Sequence, residues 1–217
     1  MERVRINNLT KNYSNQPIFH EVNVSFCSGQ VIGLIGDNGV GKTTLLKLIC
    51  GLIYPDRGEI IINGRDISRQ HSKCMQGMGA FLEGSRSTYW RLTTWQNLLY
   101  FSGLKGSFGR EAQSRSVKLL QLFDLWDMRD TKVELLSFGM KQRLALACSI
   151  SHDPSIILLD EPTSGLDIQS SSIFENLINE LMKENKLIII ASHDHVMIRR
   201  IAHRTFIIND GKLIHVP

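Results

Sequence analysis

Val22, Val24 and Phe26 alternate with polar neighbours, the period of two expected of a half-buried strand. The pattern then changes: Val31 to Ile35 is apolar or glycine throughout, as in a strand covered on both faces. Glycines follow, and Leu45, Leu46, Leu48, Ile49 and Leu52 recur at helical spacing. Ile60 to Ile62 run into Asn63-Gly64, a strand entering a hairpin-type turn. From about Ser85 to Pro154 the strand signals fade. Apolar positions recur instead at Val117, Leu119, Leu120, Leu122 and Phe123, and again at Leu144, Ala145, Ala147, Cys148 and Ile150, with Pro154 marking the end of the second helix. Beyond it, Ile156 to Leu159 and Leu187 to Ile190 flank a helix carrying Ile173, Phe174, Leu177, Ile178, Leu181 and Met182. Phe206 to Ile214 reads as a hairpin turning at Asn209-Asp210-Gly211. The order predicts an α/β fold with a mostly parallel sheet core, a small antiparallel β region and an inserted helical subdomain at about residues 84–154 of a single 1–217 domain.

With 42% hydrophobic and 21% charged residues, the 217-residue chain can bury a sizeable core without disulfides or metal. Its apolar runs are strand-length, far short of the roughly 20 residues that cross a bilayer. The start, MERVRINNLTKNYS, lacks the apolar stretch of a signal peptide, so a cytoplasmic protein is expected. Cys27, Cys50, Cys74 and Cys148 are scattered without ligand spacing and read as free thiols. A net charge of +4 without charge runs suits an ordinary solvated surface, and no nucleic-acid partner is expected.

The candidate chemistry begins at the glycines. Gly36, Asp37, Asn38, Gly39, Val40, Gly41, Lys42 and Thr43 match G-x-x-x-x-G-K-[ST] in full, between an apolar strand and an amphipathic helix. Glycines allow the backbone to aim its N–H groups at phosphate oxygens, and the helix that follows adds its positive end. Lys42 is expected to neutralise the β and γ phosphates, Thr43 to ligate Mg²⁺, and Thr44 to join the nucleotide contacts. Asp160 closes the apolar strand from Ile156, where it can bind the metal shell, and Glu161 follows as a candidate general base. A carboxylate pair after a strand could instead complement a helix N-terminus.

Other motifs narrow the class. Leu136-Ser137-Phe138-Gly139-Met140-Lys141-Gln142-Arg143 resembles the LSGGQ signature of the ATP-binding subunits of ABC transporters, and the resemblance covers essentially the whole chain. It implies a P-loop NTPase of ABC type with ATP and Mg²⁺ as ligands. Tyr13 matches the residue that stacks on adenine, Ser164-Gly165-Leu166-Asp167 the D-loop, and His193 the switch histidine. Lys42, Glu161 and His193 are then the implied catalytic residues. Ser137 and Gly139 would contact the γ-phosphate of ATP held by a second nucleotide-binding subunit, which implies an ATP-dependent dimer, an identical pair in the simplest case. An integral-membrane subunit would complete the assembly at the cytoplasmic face of the membrane.

Two positions depart from the pattern. Phe138 and Met140 stand where the family often has Gly and Gln. Glu83 occupies the Q-loop position, where it could still reach a metal-bound water, and Gln76 is an upstream alternative. The stretch Gly79 to Asn97, with Tyr89, Trp90 and Trp95, resembles the ATPases of drug, antibiotic and polysaccharide exporters, so export is the expected direction. Those aromatics suit either a docking surface or subdomain packing. The competing readings are a soluble ABC ATPase acting on ribosomes or nucleic acid, and a phosphotransferase. The first lacks coiled coils or basic extensions here, and the second leaves Leu136 to Arg143 without a role.

Overall fold

Strands whose residues are apolar on both faces need a layer on each side, and this requirement organises the molecule. The computed structural model describes residues 1–13, 16–82, 88–164 and 168–216, with the backbone alone for residues 16 and 168–171. Strands β3 (Gln30–Ile35), β6 (Met78–Phe81), β7 (Ile156–Asp160), β8 (Leu187–Ala191), β9 (Arg204–Asn209) and β10 (Lys212–Val216) form a six-stranded sheet in the order β10-β9-β3-β8-β7-β6. All neighbours are parallel except the β9–β10 hairpin at the edge. A second, antiparallel sheet has the order β2-β1-β4-β5, from β1 (Glu2–Tyr13), β2 (Gln16–Cys27), β4 (Arg57–Ile62) and β5 (Arg65–Asp66).

Alternation along β7 and β8 divides the core in two. Ile156, Leu158, Leu187 and Ile189 face helix α1 (Lys42–Ile49) and the inner face of the antiparallel sheet, with Val4, Ile6, Leu9, Phe19 and Phe26. Ile157, Leu159, Ile188 and Ile190 face the opposite layer. That layer holds α3 (Thr94–Leu104), α4 (Gly109–Leu122), α5 (Phe138–Ile150), α6 (Ile168–Lys183) and α7 (His195–Ile201). The fold is therefore α/β with a mostly parallel sheet, an antiparallel sheet and a helical layer, as the sequence pattern indicates.

Some local features differ from the sequence reading. Helix α1 stops at Ile49, and Leu52 lies beyond it, 62% exposed. Gly51, at φ 65°, ends the helix: its N–H donates to Leu48 O at 3.1 Å, and Leu52 N–H donates to Lys47 O at 3.0 Å. The short helix α2 (His71–Gln76), α7 and the four-residue β6 carry too few periodic residues to stand out in the sequence. The aromatics of the helical stretch divide. Trp95 packs into the core, whereas Tyr89 and Trp90 stay exposed, Tyr89 lying edge-on to Tyr100. The four cysteines are free, and Cys50, Cys74 and Cys148 are buried.

Two positions test this packing. At Gly33, in the middle of β3, an added Cβ would lie 2.3 Å from Ile198 Cγ2 of α7. Gly33→Ala should therefore destabilise the fold by about 1–3 kcal/mol, read from the urea midpoint. His152 places Nε2 3.1 Å from Met78 O, and burial, helped by the Lys105 charge, draws its pKa down to about 4. The unfolded ring protonates near 6.5, so this contribution is complete above that pH and is lost as pH falls towards 4. His152→Gln should flatten the acid limb of a stability–pH profile over that window.

Candidate nucleotide site

The C-terminal ends of β3, β8 and β7 lie side by side, with Leu34 opposite Ala191 and Ala191 opposite Asp160. Ligands of open α/β sheets bind at this edge, where loops leave the strands. A cavity of about 370 Å³ opens there, lined by Asn38, Gly39, Gly41, Lys42, Thr43, Thr44, Glu161, Ser164 and His193. Asn38, Gly39, Gly41, Lys42, Thr43 and Thr44, half of the residues expected to hold nucleotide, are thus brought together with Glu161 and His193.

The loop's shape comes from its glycines. Gly39 (φ 85°) and Gly41 (φ 115°) adopt left-handed backbone, and a Cβ on Gly41 would sit 2.8 Å from Ile18 Cγ2 of β2. Helix α1 starts directly after Gly41 with no side-chain cap and no acidic residue in its first turn. Its first N–H groups and its positive end therefore face the cavity, an arrangement that suits an anion. Lys42 is buried, and its Nζ donates to Gly36 O at 2.7 Å and to Asp37 O at 3.1 Å. Val40 packs on the core beneath the loop.

The acidic side of the site is equally ordered. Thr43 Oγ1 donates to Asp160 Oδ2 at 2.8 Å, joining α1 to β7. A hydroxyl and a carboxylate oxygen are the hard donors that Mg²⁺ prefers, and Mg²⁺ commonly takes only one or two protein ligands beside substrate phosphates and water. The donor set therefore fits the expected metal. Among the described residues no cluster of three or more His, Cys, Asp or Glu side chains forms a metal cage.

Glu161 adopts a left-handed backbone at φ 47°, a conformation that costs a non-glycine residue about 1–3 kcal/mol. Its N–H donates to Ala191 O at 2.8 Å, which ties the strained residue to the neighbouring strand. Its carboxylate is nearly buried. Oε1 lies 4.0 Å from Lys42 Nζ, and Oε2 lies 2.9 Å from His193 Nδ1 and 3.3 Å from Ser192 Oγ. Ser192 is a site residue that the sequence reading missed; its only signal is its place between a buried strand and His193.

Other expected residues lie apart from this cavity or outside the described residues. Ser137 caps α5, its Oγ accepting Met140 N–H at 3.2 Å, with Gly139 in the first turn. Neither lines the cavity, and Phe138 beside them is 69% exposed. Gln142, to which the signature-like stretch gives no role of its own, donates from Nε2 to Pro162 O at 3.3 Å and to Ser164 O at 3.1 Å. Tyr13 is exposed and outside the cavity lining, but it pairs with Gln16 at the end of the hairpin whose Ile18 lies against Gly41. Glu83 and the segment Gly165-Leu166-Asp167 lie outside the described residues. Gln76 ends α2 ahead of Met78, which pairs with Ile156 at the start of β7, the far end of the strand from Asp160. It is therefore poorly placed for the metal.

Comparison with known proteins agrees with this geometry. A family model described as ABC transporter matches residues 19–164. The chain is 37% identical over 195 residues to the ABC transporter ATP-binding protein NatA of Bacillus subtilis (strain 168), spanning 90% of this chain and 79% of that protein. It is 30% identical over 210 residues to the lipopolysaccharide export system ATP-binding protein LptB of Haemophilus influenzae, spanning 95% of this chain and 87% of that protein. A solved structure described as the ATP binding subunit of an ABC transporter matches with a TM-score of 0.89 at 26% identity, spanning 97% of this chain and 88% of that one. The chain belongs to the ABC transporter family, among its ATP-binding subunits.

Proposed function

We propose that this chain hydrolyses ATP as half of a two-subunit sandwich and thereby drives export through a separate membrane-spanning subunit. The observation that carries the reading is the division of the motif residues. Lys42, Thr43, Glu161 and His193 line one cavity, whereas Ser137 and Gly139 stand outside it on an exposed helix start. In this reading Ser137 and Gly139 of a second copy close over the nucleotide, and this chain's own pair closes over the second copy's.

The chemistry follows from the residues present. Phosphate oxygens take the N–H groups of the loop and of α1, and Lys42 turns its ammonium from the Gly36 and Asp37 carbonyls to the β and γ phosphates. Thr43 and Asp160 hold Mg²⁺, which when bound offsets phosphate charge. Glu161 accepts a proton from water as the water oxygen bonds to the γ-phosphorus; the bond to the bridging oxygen breaks and ADP leaves. His193 is exposed enough to turn towards the γ-phosphate. Tyr13, at the end of the hairpin whose Ile18 lies against Gly41, stacks on adenine, and Glu83 contributes to the metal shell.

The partners are a second nucleotide-binding subunit and an integral-membrane protein at the cytoplasmic face. Among the described residues no helix is long and apolar enough to cross a membrane. The exposed aromatics Tyr89, Trp90 and Tyr100, within the helical insert of about residues 84–154, suit docking of the integral-membrane protein. Export is favoured by the Gly79 to Asn97 stretch and by a relative named for lipopolysaccharide export.

Two variants test the reading. Lys42→Ala should weaken ATP binding by about 100-fold or more, measured with a fluorescent nucleotide, because a charge-assisted phosphate contact is lost. Glu161→Gln should bind ATP-Mg²⁺, turn it over at least about 100-fold more slowly, and accumulate as dimer in size-exclusion chromatography. A Glu161→Gln variant that stays monomeric at saturating ATP-Mg²⁺ would defeat the sandwich.

A further inference from the structure

Ser192 follows β8 directly and is 1% exposed. Its N–H donates to Leu34 O at the end of β3, at 3.1 Å, so its backbone is anchored beside the phosphate loop. Its hydroxyl accepts Asp194 N–H at 3.1 Å and lies 3.3 Å from Glu161 Oε2. A serine hydroxyl carries one proton, and an ionised carboxylate can only accept. With a lone pair engaged by Asp194, that proton points at Glu161. Asp194 is held in turn, its carboxylate capping α7 by accepting Met197 N–H at 2.9 Å. The hydroxyl is thus fixed from the strand side and from the helix side.

His193 reaches the same carboxylate oxygen under different constraints. Its Nδ1 is 2.9 Å from Oε2, yet its side chain is 64% exposed. A ring that swings to a γ-phosphate must leave Glu161, and the carboxylate then loses its nearest partner. Among the described residues, what remains on Oε2 is the Ser192 hydroxyl and the His193 backbone N–H at 3.4 Å.

We propose that Ser192 is a positioning residue for hydrolysis: its hydroxyl keeps the Glu161 carboxylate aimed at the attacking water once the His193 ring has turned to the phosphate. The inference rests on the reading of Glu161 as the general base. It assigns the two neighbouring residues different tasks, the exposed histidine sensing phosphate and the buried serine holding the base.

The test measures steady-state ATP turnover and fluorescent-ATP binding for Ser192→Ala, Ser192→Thr, Glu161→Gln and the double variant Ser192→Ala/Glu161→Gln. Ser192→Ala should lower kcat about tenfold while KM and nucleotide affinity stay within about twofold. Ser192→Thr, which keeps a hydroxyl, should recover most of the rate. Adding Ser192→Ala to Glu161→Gln should lower the residual turnover no further, because the hydroxyl acts only through that carboxylate. Wild-type kcat in Ser192→Ala beside an inactive Glu161→Gln overturns the role of Ser192 and leaves that of Glu161 intact. Wild-type turnover in Glu161→Gln overturns both. Lost nucleotide binding in Ser192→Ala, a further drop in the double variant, or a folded Ser192→Thr as slow as Ser192→Ala would mark a general structural part and overturn the proposal.

Discussion

Lys42 carries a full positive charge almost out of contact with water, and an ammonium in that position is costly unless dipoles or opposite charge surround it. Here the compensation comes from two stretches of chain. Gly36 and Asp37, just past the end of β3, offer carbonyl oxygens, and Glu161, just past the end of β7, brings a carboxylate within 4.0 Å. Both stretches are placed by strand register, with Ala191 of β8 lying between Leu34 and Asp160. A slip of one residue along β7 would exchange the inward and outward faces and move the carboxylate away from the lysine. Solvation of one buried cation and correct assembly of the parallel sheet are therefore the same requirement.

The same economy operates on the acidic side. Thr43 and Asp160 bond directly to each other, so the donors suited to Mg²⁺ are already together. Glu161 is fixed through its N–H on Ala191 O and through its carboxylate on Ser192 and His193. Its left-handed backbone is tolerated because these contacts over-determine it.

The helical layer is joined to this site at a second point. Gln142 of α5 bonds to the carbonyls of Pro162 and Ser164, directly after Glu161. Ser137 and Gly139 start the same helix five and three residues earlier. The helix whose start is proposed to meet a second subunit's nucleotide is thus hydrogen-bonded, through Gln142, to the segment leaving this chain's own carboxylate. A shift of α5 cannot leave that segment undisturbed.

Much of this was legible without coordinates. The phosphate loop and the Asp160-Glu161 pair are short-range patterns, set by glycine conformational freedom and by strands whose every residue is apolar, and both survive in a linear reading. The end of α1 was less legible, because Leu52 keeps the helical spacing while Gly51 stops the helix. The contacts of Ser192 and Gln142 were invisible for a further reason. They depend on partners 31 and 22 residues away, and a serine or glutamine has no local preference that reveals such a partner. The sequence by itself determined the family, the fold class and the pattern of the phosphate loop. Only the tertiary structure decided that Glu161 is held by a buried serine as well as an exposed histidine, and that Ser137 and Gly139 lie outside their own chain's cavity. Hydrogen-bond geometry between distant segments arises only when strand register and helix packing bring them together.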